Sequence, residues 1–126
     1  METKNRPWAK DYDWQLGQPE LTRYGLAANV ELDGAQLDEA QREALAKGIA
    51  AFAQTSDDGA PGGGTAWYDG GARVYFDGAT PVIASNGEDA CEAIEGTSPR
   101  LLAAIERVAP DARVTWEQRP PEPIEE

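Results

Sequence analysis

The sequence predicts an α+β fold, a two-layer sandwich with helices on one face of a mostly antiparallel sheet. Three observations carry it: one long strand of clean alternation, a helical stripe directly after it, and short β-prone runs around turn residues. The length of 126 residues suits a single core. Hydrophobic residues make up 40% of the chain and charged residues 27%, a balance that favours a folded domain over a disordered one.

Residues 1–20 lack periodicity and contain Pro7, Gly17 and Pro19, which predicts an irregular N-terminal arm before a domain over 21–118. Trp8, Tyr12 and Trp14 in that arm have large apolar area to bury and are expected to close over one end of the core. As an alternative, the same rings could anchor a partner, since Trp and Tyr are frequent at binding hot spots.

From Thr22 to Leu32, Tyr24, Leu26, Ala28, Val30 and Leu32 fall on one face and Arg23, Gly25, Ala27, Asn29 and Glu31 on the other. That is a half-buried strand. Asp33-Gly34 breaks it. Leu37, Ala40, Ala44, Leu45, Gly48, Ile49 and Phe52 then keep helical spacing, which predicts a helix ending near Gln54. Asp33 with Gln36 and Asp38 with Gln41 compete as its capping box. The run from Thr55 to Gly64 reads as a flexible loop; it has no lysine for a phosphate-cradling motif.

Thr65–Tyr68 and Ala72–Phe76 flank Asp69-Gly70-Gly71 as a hairpin, and Val82-Ile83-Ala84 can extend it into a meander. A short helix is expected from Ser85 to Gly96, and a second one from Ser98-Pro99 to Pro110. Ala112 to Glu117 closes the series as a strand, and residues 119–126, rich in Pro and Glu, read as a disordered acidic tail. The order is β-α-β-β-(β)-α-α-β, ferredoxin-like or related. It reduces to βαββαβ if the Val82 segment is only a loop.

Twenty-three acids against eleven bases leave a net charge of −12, concentrated between residues 25 and 99. Such a field disfavours nucleic acid and anionic membrane and attracts basic proteins. No apolar run approaches the length of a membrane span, and the polar start of the chain predicts no secretory signal, hence a cytoplasmic protein. Histidine is absent, and Cys91 is a lone cysteine set among Glu88, Asp89, Glu92 and Glu95, which raise a thiol pKa rather than activate it.

The carboxylate pairs Asp11-x-Asp13 and Asp57-Asp58, and the set Asp77, Glu88 and Asp89, match no calcium-loop spacing. We therefore expect no metal, no cofactor and no catalytic residues. A small carboxylate-based or divalent-metal-dependent enzyme is the alternative. The leading expectation is an acidic protein-binding inhibitor whose surface, formed by Asp57, Asp58, Asp69, Asp77, Glu88, Asp89, Glu92 and Glu95, blocks a partner with a basic surface, such as a nuclease or another nucleic-acid-binding enzyme. Immunity proteins (antitoxins) and phage anti-defence proteins of the anti-CRISPR kind share this size and charge. A third expectation is an assembly or ligand-binding domain that recognises its partner through Trp8, Tyr12 and Trp14.

Overall fold

A computed structural model describes residues 5–9, 11–19, 21–60 and 63–123. The strand of clean alternation is present as β1 (Thr22–Glu31) and sits near the centre of an entirely antiparallel sheet. The other elements are α1 (Glu39–Ala50), β2 (Gln54–Ser56), β3 (Ala66–Asp69), β4 (Ala72–Asp77), β5 (Thr80–Asn86), α2 (Ala90–Val108), β6 (Arg113–Gln118) and β7 (Glu122–Pro123). Their spatial order is β2-β3-β4-β5-β1-β6, with β7 also paired to β1. The Val82 segment belongs to a full strand, so the chain does not reduce to βαββαβ. The α+β class and the two layers are as the sequence predicts.

Register explains the layering. Leu26 pairs with Ile83, and Ile83 with Val74, so these side chains share one face with Tyr24, Ala28 and Val30. Both helices cover that face. Leu45 and Ile49 of α1 join Ile94, Leu101 and Ile105 of α2 and the strand residues in one buried cluster. Arg23, Gly25, Ala27, Asn29 and Glu31 point to the opposite, helix-free face by the same alternation.

Three local expectations need correction, and one open choice closes. The competing start signals of α1 resolve to Asp38: its carboxylate accepts the Gln41 N–H at 2.8 Å, and the Gln41 side chain accepts the Asp38 N–H at 2.9 Å. Asp33 and Gly34, with φ of 54° and 81°, instead form the turn that closes a bridge between Leu32 and Ala35. This helix stops at Ala50, and residues 54–56, expected as helix end and loop, form the edge strand β2.

The two expected helices after β5 are one, running through Gly96 and Pro99. Proline removes an N–H that would bond the carbonyl four residues back, here that of Glu95. The Ser98 hydroxyl donates to that carbonyl at 3.0 Å and satisfies it. The expected tail also contributes structure, because Glu122 and Pro123 pair with Arg23 and Thr22.

The arm is packed. Trp8 and Trp14 are each 8% exposed and stack edge-on at 5.5 Å, and Trp14 stacks on Tyr24 at 5.3 Å. The Trp14 indole donates to the Arg119 carbonyl at 3.0 Å. Asn5 works as a peptide unit on the outer edge of β6: its amide donates to the Ala112 carbonyl at 3.0 Å and accepts the Val114 N–H at 2.9 Å. Unpaired edge groups invite pairing with other chains, and this contact covers part of that edge. Among the described residues no helix is long and apolar enough to cross a membrane.

Two outcomes follow. Trp14→Ala should destabilise the fold by about 3–5 kcal/mol through loss of a buried indole, and Asn5→Ala by about 1–3 kcal/mol through two orphaned β6 groups. Urea unfolding monitored by circular dichroism measures both; near-neutral values would mean that the arm does not dock. Burial, reinforced by the nearby Cys91, raises the Tyr24 phenol above its usual value of 10.0, while the Thr22 hydroxyl lowers it in part. The fold therefore holds Tyr24 neutral, a contribution intact below pH 10 and lost as the pH rises from there through the raised folded value. Tyr24→Phe should flatten that alkaline loss of stability in a pH series of melting curves.

Candidate functional site

The eight acids expected to form one surface are divided among separate parts of the molecule. Asp69 ends β3 on the helix side and is 15% exposed. Its Oδ2 accepts from the Thr97 hydroxyl at 2.9 Å and from Arg100 Nε and Nη2 at 2.8 and 2.6 Å. That carboxylate ties the β3–β4 hairpin to α2 and is not offered to a partner. Asp77 ends β4 on the helix-free face and accepts from Arg119 at 2.6 Å. Asp57 and Asp58 are exposed in the turn after β2, at the opposite end of the strands from the start of α2.

Glu88 and Asp89 are exposed where β5 turns into α2, Glu92 is exposed on the first turn of that helix, and Glu95 is half-buried. Glu92 and Glu95 both take part in interactions within the molecule. Asp89 occupies the N-cap position without a side-chain hydrogen bond to the helix.

The arm adds to this end two acids that local pattern did not assign to it. The Gln15 side chain donates to the carbonyls of Gly87 and Glu88 at 3.1 and 2.7 Å, and Cys91 Sγ lies 3.9 Å from the Asp11 carbonyl. Residues 11–15 thus cross the start of α2 and carry Asp11 and Asp13 there. An Asp11 oxygen accepts the Asp13 N–H at 3.1 Å, which fixes the turn. The positive end of the α2 macrodipole favours carboxylates in its first turn and eases their mutual repulsion. Asp11, Asp13, Glu88, Asp89 and Glu92 form an acidic end of the molecule. Among the described residues no three His, Cys, Asp or Glu side chains are grouped closely enough to hold a metal ion.

Trp8 and Trp14 are spent on the core, so neither presents an open ring to a partner. The Tyr12 side chain lies outside the described residues. Cys91 is buried, 1% exposed, in the core beside that arm.

The helix-free face has a different character. Arg23, Arg73, Arg113 and Arg119 all project from it by register, alongside Glu31, Asp77, Glu117 and Glu122. The face is therefore close to charge balance, and the net charge of −12 is carried by the rest of the chain. Its middle is floored by small side chains. The Arg119 stem passes beside Gly25 toward Asp77, and the Arg119 N–H bonds the Gly25 carbonyl at 2.9 Å. Local pattern marks these residues only as the wet side of strands; their gathering depends on strand order.

Comparison with known proteins adds no relative: no family model matches the chain, and neither curated proteins nor solved structures give a significant match.

The division of the acids has a measurable consequence. Asp69→Ala leaves the buried Thr97 hydroxyl without its partner and a half-exposed guanidinium to water, and should cost about 1–3 kcal/mol. Asp77→Ala, which breaks an exposed pair, should cost less than about 1 kcal/mol. Thermal or urea unfolding compares them, and equal costs would contradict the distinct roles.

Proposed function

We propose that this protein is an acidic, non-catalytic binding protein that blocks a partner protein by covering its basic, nucleic-acid-binding surface. The observation that carries the proposal is the acidic end assembled from the arm and the start of α2. Asp11, Asp13, Glu88, Asp89 and Glu92 are brought there by Gln15 and by the β5–α2 turn. Packing of Trp14 and Tyr24 beneath fixes the arm that carries two of them. Charges held in place before binding cost less ordering on association, and a negative surface speeds encounter with a cationic groove. Immunity against a nuclease-like toxin and phage anti-defence by charge mimicry are the two settings with this chemistry, and both act in the cytoplasm.

The test uses the intact chain as bait in lysate of the source cells at low and moderate salt, beside Glu88→Lys with Asp89→Lys. A captured basic protein is then purified and its affinity for both baits measured. We expect binding to weaken steeply with salt, to fall in the charge-reversed bait by a factor of roughly 100 or more, and to be competed by nucleic acid. Equal affinity for the two baits, or indifference to nucleic acid, contradicts the proposal. Both positions are exposed but stand at the positive end of α2, so the pair of substitutions should cost about 1–2 kcal/mol, and a melting curve of the charge-reversed bait serves as its folding control.

A further inference from the structure

On the helix-free face, at the end of the sheet where β1 begins and β3 turns into β4, there is a hollow of about 270 Å³. Its rim includes Arg23 of β1, Arg73 of β4, Tyr68 of β3 and Asn86 of β5, with Ala84 at the floor and the Gly70-Gly71 turn at one side. We propose that this hollow is an oxyanion-binding site, taking a phosphate or carboxylate group end-on between the two guanidinium groups. This site does not rest on the acidic end: it is opposite in sign and lies on the helix-free face, where Asn86 adjoins the turn that carries Glu88 and Asp89.

Strand register places the arginines. Arg73 pairs with Ala84, and Arg23 with Asn86, so the two flank β5 on the same face and the short Ala84 side chain lies between their strands. Two flanking strands thus supply the donors, and the middle strand supplies the space.

Charge is the second argument. In a chain of net charge −12, no carboxylate lines this hollow among the described residues. Among the described residues the ion pair at its rim joins Arg23 to Glu122 at 3.9 Å, with the Arg23 side chain 44% and that of Glu122 73% exposed. Such a pair is weak and exchangeable. Among the described residues Arg73 has no acidic partner. Its Nη1 donates to the Gly59 carbonyl at 3.0 Å, which anchors one side of the guanidinium and leaves the fork's other donors to meet a ligand.

Tyr68 and Asn86 supply neutral donors beside the charged ones. Tyr68 is 39% exposed, a large side chain kept at the rim and not packed into the core. A hydroxyl, an amide and two guanidinium groups around a small space form the donor-rich set that an oxyanion with several lone pairs requires. The adjoining hollow of about 160 Å³, under Tyr75, Arg119 and Pro120, shares Arg23 and Ala84 with the first and gives room for the body of a larger ligand.

Isothermal titration with inorganic phosphate and, separately, with a glutamyl dipeptide, both in chloride buffer of matched ionic strength, tests the proposal on the full chain. Binding of either probe is expected. Arg23→Gln and Arg73→Gln should each weaken it roughly tenfold or more, whereas Arg113→Gln, on the same face but outside the hollow, should leave it unchanged. Preference for phosphate identifies a small phosphorylated ligand, and preference for the glutamyl probe identifies an acidic protein segment. Should Arg73→Gln loosen the Gly59 turn, Arg23→Gln still decides, with a melting curve as its folding control. Absence of binding by both probes, or equal binding by the wild type and Arg23→Gln, overturns the proposal.

Discussion

Everything in this molecule is referred to β1. It pairs with β5 on one side and with β6 and β7 on the other, and its alternation assigns each neighbour's residues to a face. A slip of one residue would move Tyr24, Leu26, Ala28 and Val30 out of the core and drive Arg23 and Glu31 into it. The cost of burying those charges locks the register. Once it is locked, Arg23 must face away from the helices, as must Arg73 and Arg119 through β5 and β6. The hollow on the helix-free face and the packed core are two consequences of one constraint.

The N-terminal arm extends the same logic. Tyr24 projects from β1 into the core, Trp14 stacks on it, and Trp8 stacks on Trp14. That column positions residues 11–15 over the start of α2 and thereby adds Asp11 and Asp13 to Glu88 and Asp89. At the other end of the arm Asn5 shields the β6 edge. The rings act as structure, and the acids they carry along are what reach solvent.

Signals confined to neighbouring residues were legible in the sequence. Alternation marks β1, the spacing of Asp38 and Gln41 marks a helix start, and Asp69-Gly70-Gly71 marks a hairpin turn. Signals that depend on distant partners were not. β2 is three residues long and exists through its pairing with β3. Pro99 reads as a helix start until the Ser98 hydroxyl is seen to satisfy the Glu95 carbonyl. Asp69 and Asp77 read as one acidic block with Glu88 because nothing local reveals Arg100 or Arg119 as their partners. The arginine-lined hollow combines residues from four strands, and no window along the chain contains Arg23 and Arg73 together.

The central claim is that two surfaces of opposite character coexist on one small domain, each addressed by its own kind of ligand. Amide chemical-shift mapping of the labelled protein tests it most directly, with a short oligoarginine peptide and inorganic phosphate as the two titrants. The account predicts that the peptide perturbs residues 11–15 and 87–92, whereas phosphate perturbs residues 23, 68–73 and 84–86. Overlapping maps, or a phosphate map outside the helix-free face, would contradict it.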